Sequence, residues 1–373
     1  MEHNINNKKA TIYDIAKMAG VSTATVSRVV TKSDYGVRTE LRDKVLKCVR
    51  ELKYTPNELG RMLKKRESHD IGVVIPTISN PYYSELILGI ELEARKRGYN
   101  IVICNSFRDP ETEKKYIYSL NQKQVRGIIL SAIDYENEYI STISDDNHNA
   151  KELIDESENY LTTMMNNGMK FAVLDNKYED ANFLNVFFDY EKGGYIAAKY
   201  LIEMGHRQIA FITSPLTRYG RRQIFEGFKK GLNEFNIDFN DEFFICSEYE
   251  REMETGTYEF KNGKELVKQF LSIPKRPDAI FAINDITAFG VISGLLEAGV
   301  NVPNDISVMG FDNIEFSSMT NPSLTTVNQP AQEIGRKACM MLINALISNE
   351  DEKDDYTIHD PEIVVRNSVK NRN

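Results

Sequence analysis

Residues 11–30 of this chain read TIYDIAKMAGVSTATVSRVV, a stretch that predicts two short helices joined by a tight turn. Thr11, with Asp14 three residues later, is a helix start signal that satisfies free backbone N–H groups. Gly20 allows the positive φ of a sharp turn, and Ser22 is placed to cap the next helix. Apolar residues recur at helical spacing on one face of each predicted helix, namely Ile12, Ile15, Ala16 and Ala19, then Val26, Val29 and Val30.

A third predicted helix follows, and its apolar stripe supports the first two. The stripe consists of Leu41, Val45, Val49 and Leu52. Two short helices with a glycine turn and a third as a brace form a helix-turn-helix, whose second helix fits the major groove of DNA. Arg28 on that helix can donate two hydrogen bonds to a guanine. A three-helix bundle of another function is the alternative interpretation.

The charge distribution favours DNA binding over that alternative. Residues 1–66 carry 15 lysines and arginines against 7 acidic residues, a net charge of +8. The rest of the chain carries 31 against 48, a net charge of −17. A basic block on an acidic body indicates that the block contacts a polyanion, although a solvated charged surface is also compatible with it.

Length and composition exclude several other classes of protein. At 373 residues with 41% hydrophobic content, the chain suits two or three globular units. It has no apolar run of 18 residues and no apolar segment in MEHNINNKKA, so we expect neither a membrane span nor a secretory signal, and a cytoplasmic location. Four widely spaced cysteines are expected to be reduced thiols, namely Cys48, Cys104, Cys246 and Cys339.

From Asp70 onward, strand-like apolar runs alternate with amphipathic helical segments. The runs are 71–75, 101–104, 127–130, 171–174, 209–212, 279–282 and 306–309. Such alternation builds doubly wound parallel sheets, and about 300 residues suffice for two lobes with a ligand cleft at the carboxyl ends of the strands. No phosphate loop, metal motif or nucleophile–base pair is present, and His206 is interpreted as a helix-terminal residue. We therefore expect no enzymatic activity, no metal and no cofactor.

Over nearly its whole length the chain resembles the lactose-repressor (LacI/GalR) family. The resemblance is carried by residues 11–30, ELKYTPNELGRMLKKR, SNPYYSELILGIE, YLIEMGHRQIAFI, FAINDITAFGVISGLLEAGVNVPNDISVMGFDN and PSLTTVNQP. It implies an N-terminal all-α helix-turn-helix domain (1–56), a hinge helix or linker (57–68) and a two-lobed α/β core similar to periplasmic sugar-binding proteins (69–373). The first lobe is expected at about 69–186 plus 327–355, and the second at about 187–326 plus 356–370.

The resemblance also implies which residues contact DNA. Three would face bases: Thr23, Ala24 and Arg28. Four would position phosphates, contacts that fix register but do not specify sequence: Tyr13, Ser22, Thr25 and Ser27.

The hinge is too short to be a stable helix alone, because helix nucleation is costly. The family resemblance implies that it folds on the operator beside its dimer mate in the minor groove, where Asn57 caps it and Leu63 wedges open the central base step. A plain linker leucine is the alternative for Leu63. Gly60 stands where many relatives have alanine, which costs about 1 kcal/mol of helix propensity.

Candidate ligand-binding residues follow the predicted strands of both lobes. They are Tyr82, Tyr83, Asp175, Tyr258, Asn284, Asp285 and Asp312. Carboxylates and amides around an aromatic ring suit a sugar, whose hydroxyls need partners and whose C–H faces pack on rings. Asn and Asp also cap the helices that follow strands, which is the structural alternative.

One departure from the family concerns the ligand. Sugar-binding relatives often have an arginine where this chain has Ile224. Arg218, Arg221 or Arg222 would reach the cleft from the same loop, and Arg218 aligns with a ligand-contacting arginine of the purine-sensing branch. Because arginine grips anions in a planar fork, an anionic or phosphorylated ligand also fits.

Two segments are longer than in the family and polar, 135–170 with a possible helix at 155–166, and 246–256. We interpret both as surface elaborations. The tail after Val365 has no leucine heptad, so no helical tetramerisation module is expected.

The sequence favours a homodimeric repressor of a carbohydrate uptake or catabolic operon. It would bind a near-palindromic double-stranded operator and respond to a small effector, a sugar or sugar derivative. The alternative within transcription is a catabolite-control regulator driven by a phosphorylated carrier protein, although 313–322 lacks the arginines with which that branch docks its partner. A transport receptor or carbohydrate enzyme sharing the fold is the third hypothesis.

Overall fold

A computed structural model describes residues 10–30, 36–54, 68–131, 160–174, 183–248, 257–348, 356–358 and 361–373. The chain divides into two compact units, Met1–Glu67 and Ser68–Asn373.

The first unit is the predicted helix-turn-helix with its brace. Helices α1 (Ile12–Ala19), α2 (Thr23–Val30) and α3 (Thr39–Glu51) surround one small core. The start signal forms a complete capping box, and Gly20 ends α1 with a φ of 64°. The core consists of Ile15, Ala16, Ala19, Val26, Val29, Val45 and Cys48. Leu41 of the predicted stripe is an exception, since it is 37% exposed.

The second unit contains two six-stranded sheets, one in each lobe. The first sheet has the order β11-β5-β4-β3-β1-β2 and is parallel throughout. Its strands are β1 (Asp70–Ile75), β2 (Asn100–Asn105), β3 (Gly127–Ser131), β4 (Lys170–Leu174), β5 (Leu184–Phe188) and β11 (Tyr356–Ile358). Its helices are α4 (Pro81–Lys96), α5 (Pro110–Gln122), α6 (160–166) and α11 (Ala331–Ser348).

The second sheet has the order β12-β10-β9-β8-β6-β7, and only β12 runs antiparallel to its neighbour. Its strands are β6 (Ile209–Thr213), β7 (Phe244–Cys246), β8 (Ala279–Ala282), β9 (Ser307–Asp312), β10 (Thr325–Asn328) and β12 (Glu362–Val364). Its helices are α7 (Tyr190–Glu203), α8 (Tyr219–Glu234), α9 (Tyr258–Ser272) and α10 (Asp285–Glu297), with 3₁₀ turns at Asp241–Phe243 and Glu315–Ser318.

The chain passes between the lobes three times, after β5, after β10 and after β11. β10 pairs with β9, so the return to the first lobe follows Asn328 rather than beginning at 327. β11 pairs with β5, so 356–358 lie in the first sheet and not in the second lobe as expected from the sequence.

Several smaller expectations also have structural counterparts. Helix α6 occupies the later part of the helix expected at 155–166, and the rest of that expectation lies outside the described residues. His206 follows α7 and is buried, with its Nδ1 3.0 Å from Asp278 Oδ2. All four cysteines are free thiols. None of the described helices is long and apolar enough to cross a membrane.

Candidate functional site

One face of helix α2 is apolar and packs on the core of its own unit, and the other face carries small or polar side chains and is open to solvent. Val26 and Val29 are buried in the core, whereas Ala24 and Arg28 are exposed. Small side chains allow the start of a helix to approach base edges, and an exposed guanidinium can donate two hydrogen bonds to one guanine. The helix therefore has the surface that a major-groove helix needs.

A serine cap fixes the N-terminus of α2. Ser22 Oγ accepts a hydrogen bond from the Thr25 backbone N–H at 3.1 Å and lies 2.9 Å from Thr25 Oγ1. The remaining N–H groups of a helix N-terminus attract anions such as phosphates. Thr23, Thr25 and Ser27 are half-buried, and Tyr13 on α1 is 74% exposed. All seven candidate contact residues of α1 and α2 are thus at least partly accessible.

Four candidate residues lie outside the described part of the chain. They are Asn57, Gly60 and Leu63 of the hinge, and Asp175 after β4. The polar segment 246–256 is described only as far as residue 248.

A cavity of about 90 Å³ lies between the two lobes of the second unit. It is found where strands of both sheets end, because β1, β6 and β8 are each followed by residues of its wall, and the last two residues of β9 also line it. Ligands of parallel α/β sheets bind at the carboxyl ends of the strands, so this is the place where a small ligand is expected. Five candidate residues line the cavity: Tyr82, Tyr83, Arg218, Asn284 and Asp312.

The backbone at Asp312 is strained, with a φ of 112°. Such a conformation is costly for a residue with a side chain and persists only where its surroundings impose it. Here Gln329 N–H donates to the Asp312 carbonyl at 3.2 Å. The next residue, Asn313, donates to Asn328 Oδ1 at 2.9 Å and accepts from Arg366 Nη2 at 2.7 Å. This network places an acidic side chain on the cavity wall.

Asn284 caps a helix and also lines the cavity. Its Oδ1 accepts from Thr287 N–H at 2.9 Å and caps α10, while its Nδ2 donates to Glu259 Oε1 at 2.8 Å beside the cavity. A capped amide has a fixed orientation, so capping and wall formation are compatible.

Asp285 does not reach the cavity. It is fully buried and accepts hydrogen bonds from Ile314 N–H at 3.0 Å, Ser317 Oγ at 2.5 Å and Thr326 Oγ1 at 2.6 Å. Burial raises the pKa of Asp285 to about 7, while these three hydrogen bonds oppose the shift. Gly310 makes room for the carboxylate, because a Cβ there would stand 2.3 Å from Asp285 Oδ1. The residue supports the interior of the second lobe.

Two other candidates are also absent from the described cavity wall, Tyr258 and Arg222. Glu259 lines the cavity in place of Tyr258, and of the three arginines expected to reach it, Arg218 and Arg221 do so. One residue along a helix is a rotation of about 100°, so adjacent positions face different surroundings. Arg222 Nη1 donates instead to Leu216 O at 3.4 Å, in the loop before its helix α8.

Several residues of the wall were not among the candidates expected from the sequence. Arg108 follows β2 and donates from Nη2 to Tyr83 Oη at 2.8 Å. Gln329 is buried, and its Nε2 donates to Tyr82 Oη at 2.8 Å and to Tyr190 Oη at 2.9 Å. Arg108, Tyr190 and Gln329 all follow strands, so the strand-end rule applied to every strand would have found them.

The wall combines aromatic rings with opposite charges. Tyr82 and Tyr83 pack edge to face with centroids 5.2 Å apart, and Phe311 lies 6.3 Å from the ring of Tyr190. The guanidinium groups of Arg108, Arg218 and Arg221 and the carboxylates of Glu259 and Asp312 supply donors and acceptors. Such a wall suits a compact polar ring with hydroxyl or ring-nitrogen groups. Among the described residues, no group of three His, Cys, Asp or Glu side chains could hold a metal ion.

Family models match most of the chain. Residues 11–57 match "Bacterial regulatory proteins, lacI family", and residues 68–148 match "Periplasmic binding proteins and sugar binding domain of LacI family". Residues 198–369 match "Periplasmic binding protein-like domain".

Individual proteins agree with these models. The HTH-type transcriptional repressor PurR of Mannheimia succiniciproducens is 33% identical over 366 residues, covering 97% of this chain and 99% of the relative. The Lac repressor bound to ONPG in its repressed state is 26% identical, with a TM-score of 0.79 over 97% of this chain and 100% of that one. A LacI family regulator of Enterococcus faecium with bound ribose is 27% identical, with a TM-score of 0.66 over 82% of this chain and 100% of that one.

The helix-turn-helix unit, the two-lobed core and these relatives lead to one conclusion. The chain belongs to the LacI family of bacterial transcriptional repressors.

Proposed function

We propose that this protein is a homodimeric repressor of an operon for carbohydrate uptake or catabolism, acting in the cytoplasm. The cavity between its lobes binds a sugar or sugar derivative, and occupancy changes its affinity for a near-palindromic operator. Two identical helix-turn-helix units read such a palindrome when they are paired about a two-fold axis.

The observation that carries the ligand part of this proposal is the composition of the cavity wall. Asp312 and Asn284 line it beside the rings of Tyr82 and Tyr83. Carboxylate and amide groups pair with hydroxyls, while ring faces pack on C–H groups, as a pyranose or furanose requires. The structural relative from Enterococcus faecium is described with bound ribose, which supports this class of ligand.

The wall comes from both lobes, and this supports control by lobe closure. Arg108 and Tyr83 belong to the first lobe, and Arg218 and Asp312 to the second. A ligand that contacts both lobes binds the closed arrangement more tightly than the open one and shifts the population towards it. We propose that this shift changes the spacing of the paired hinge segments and so the operator affinity.

A purine effector is the second candidate, and two observations favour it. Curated relatives that cover almost the whole chain carry the name PurR, at 33% identity for the Mannheimia protein. In addition, Arg218 lines the cavity and Ile224 replaces the arginine typical of sugar-binding relatives. The aromatic rings of the wall would stack on a planar base as well as on a sugar.

A thermal-shift screen of the purified chain with three compound sets tests these candidates. Neutral pentoses and hexoses, their phosphates, and purine bases are each added in excess. A ligand at about 100 times its Kd stabilises the protein by roughly 2.7 kcal/mol, which raises the melting temperature measurably. Stabilisation by sugars and not by purines supports the first proposal, and the reverse result replaces it with the second.

DNA binding is tested on fragments from upstream of the protein's own gene by gel retardation. We expect a retarded complex whose affinity falls steeply with salt, because phosphate contacts release counterions. Failure to retard any such fragment at low salt would contradict the repressor proposal.

A further inference from the structure

The Glu259 carboxylate connects the two lobes directly. Its Oε2 accepts a hydrogen bond from Asn80 Nδ2 of the first lobe at 2.9 Å. Its Oε1 accepts from Asn284 Nδ2 of the second lobe at 2.8 Å and lies 3.7 Å from Arg221 Nη2. Glu259 is only 9% exposed, so these contacts are largely shielded from water. A single buried carboxylate therefore accepts hydrogen bonds from both sides of the cleft.

Both amide groups are oriented before they meet Glu259. Asn80 Oδ1 accepts from Tyr82 N–H at 3.0 Å and caps α4, while Asn284 Oδ1 accepts from Thr287 N–H at 2.9 Å and caps α10. Because each amide oxygen is engaged by its own helix, each NH₂ group is directed away from that helix. The two caps thus present donors to the same carboxylate without further side-chain ordering.

The local electrostatics favour a negative charge at this point. The N-termini of α4 and α10 lie at the two caps, and Glu259 is itself in the first turn of α9. Each helix N-terminus carries a partial positive charge. Arg221, buried and held by Pro215 O at 3.2 Å, adds a full positive charge.

The contact is also well placed to control closure. The strands next to the three crossovers are β5 and β11 in the first sheet and β10 and β12 in the second. In each sheet these two strands lie at one end of the strand order. Asn80 follows β1, and Asn284 follows β8, nearer the opposite end of each order. A bond farther from the crossovers resists opening more effectively than one nearer to them.

We propose that Glu259 is an internal latch that holds the cleft closed through Asn80 in the absence of effector. It is a positioning residue, since it prepares the closed cavity in which the effector binds. The proposal rests on the proposed function for its regulatory meaning. By fixing the fraction of closed molecules, the latch sets the apparent affinity for the effector.

The latch can be broken and then rebuilt with opposite polarity. Asn80→Asp keeps a good cap for α4 but places a second carboxylate against Glu259. Glu259→Gln replaces one of the two carboxylate oxygens, an acceptor, with an NH₂ group, a donor. This NH₂ group then faces the NH₂ group of an asparagine. In the double variant, the new glutamine can donate to the new aspartate and still accept from Asn284, so the bridge is restored.

The readout is the distance between the lobes in the full chain without effector. Nitroxides are attached at Lys115→Cys and Lys268→Cys, both exposed positions, in a Cys246→Ser background. Labelled chains are mixed with excess unlabelled chain, so that only distances within one chain are measured. Glu265→Gln, on the exposed side of the same helix α9, is the matched control.

Each single variant should raise the ratio of open to closed molecules roughly tenfold or more, as expected for losing a hydrogen bond to a charged group. The double variant and Glu265→Gln should give the wild-type distance distribution. A merely structural role would not be rescued by the second substitution. Unchanged distances in both single variants, or a double variant as open as Asn80→Asp, would overturn the proposal. The measurement uses neither DNA nor effector, so its failure is distinct from failure of the repressor function.

Discussion

Gln329 offers a direct measure of how the two lobes are coupled at a crossover. Its buried amide donates to Tyr82 Oη at 2.8 Å and to Tyr190 Oη at 2.9 Å. Gln329→Met keeps an unbranched side chain of similar length and removes both donors. Each neutral hydrogen bond contributes about 1 kcal/mol, so the variant should lose about 2 kcal/mol of unfolding free energy.

Chemical unfolding in urea, followed by far-UV circular dichroism, measures this loss. Gln332→Met, on the exposed surface of α11, is the matched control and should change the unfolding free energy by less than about 0.5 kcal/mol. Tyr82→Phe should lower the unfolding free energy less in the Gln329→Met background than in the wild type, because the Tyr82 hydroxyl has already lost the Gln329 donor there. Two results would show that the bridge contributes nothing to stability. One is equal unfolding free energies for Gln329→Met and Gln332→Met, and the other is a double variant in which the losses from Tyr82→Phe and Gln329→Met simply add.

Three further predictions concern DNA recognition, effector recognition and pH. Arg28→Ala should weaken binding to the cognate operator by about 1–3 kcal/mol and relax specificity at one base pair, as measured by anisotropy titrations against single-base variants; a uniform loss over all sequences would reduce Arg28 to a phosphate contact. Asp312→Asn should leave operator binding intact and abolish the response to the effector in the same titration, whereas loss of DNA binding would assign Asp312 a structural role. Burial raises the pKa of Asp285 to about 7 from 3.8, so the folded state binds the proton more tightly than the unfolded state. Its contribution to the unfolding free energy should therefore be lost as pH rises from about 4 to 7, and urea titrations should show a smaller decrease over this window in Asp285→Asn than in the wild type; equal slopes would contradict the shift.

The fold was predictable because its signals are local. The capping pair Thr11 and Asp14, the glycine turn at Gly20 and the apolar periodicity of α2 lie within 20 consecutive residues, and the structure confirms all three. Continuous apolar runs likewise located the buried parallel strands, whose side chains contact helices on both faces. The position of β11 was not predictable, since its three residues carry no pattern that distinguishes one sheet from the other.

Residues of the candidate site that stand at the end of a strand were predictable from the sequence, whereas contacts between the two lobes were not. Asn284 and Asp312 stand at the carboxyl ends of β8 and β9 and reach the cavity as expected. Glu259 meets Asn80 across 179 residues of sequence, and no local pattern links them. Asp285 was assigned to the cavity because it follows a predicted strand, but as the first residue of α10 it is directed into the second lobe.

Coupling between the cavity and the DNA-binding unit is tested most directly by one titration. The full chain is titrated onto an operator fragment with and without the compound that gives the largest thermal shift. We predict that the compound changes the operator Kd of the wild type at least fivefold, the usual lower range of allosteric coupling at about 1 kcal/mol, and leaves that of Asp312→Asn unchanged. An operator Kd that is the same with and without a compound bound in the cavity would contradict ligand-controlled repression.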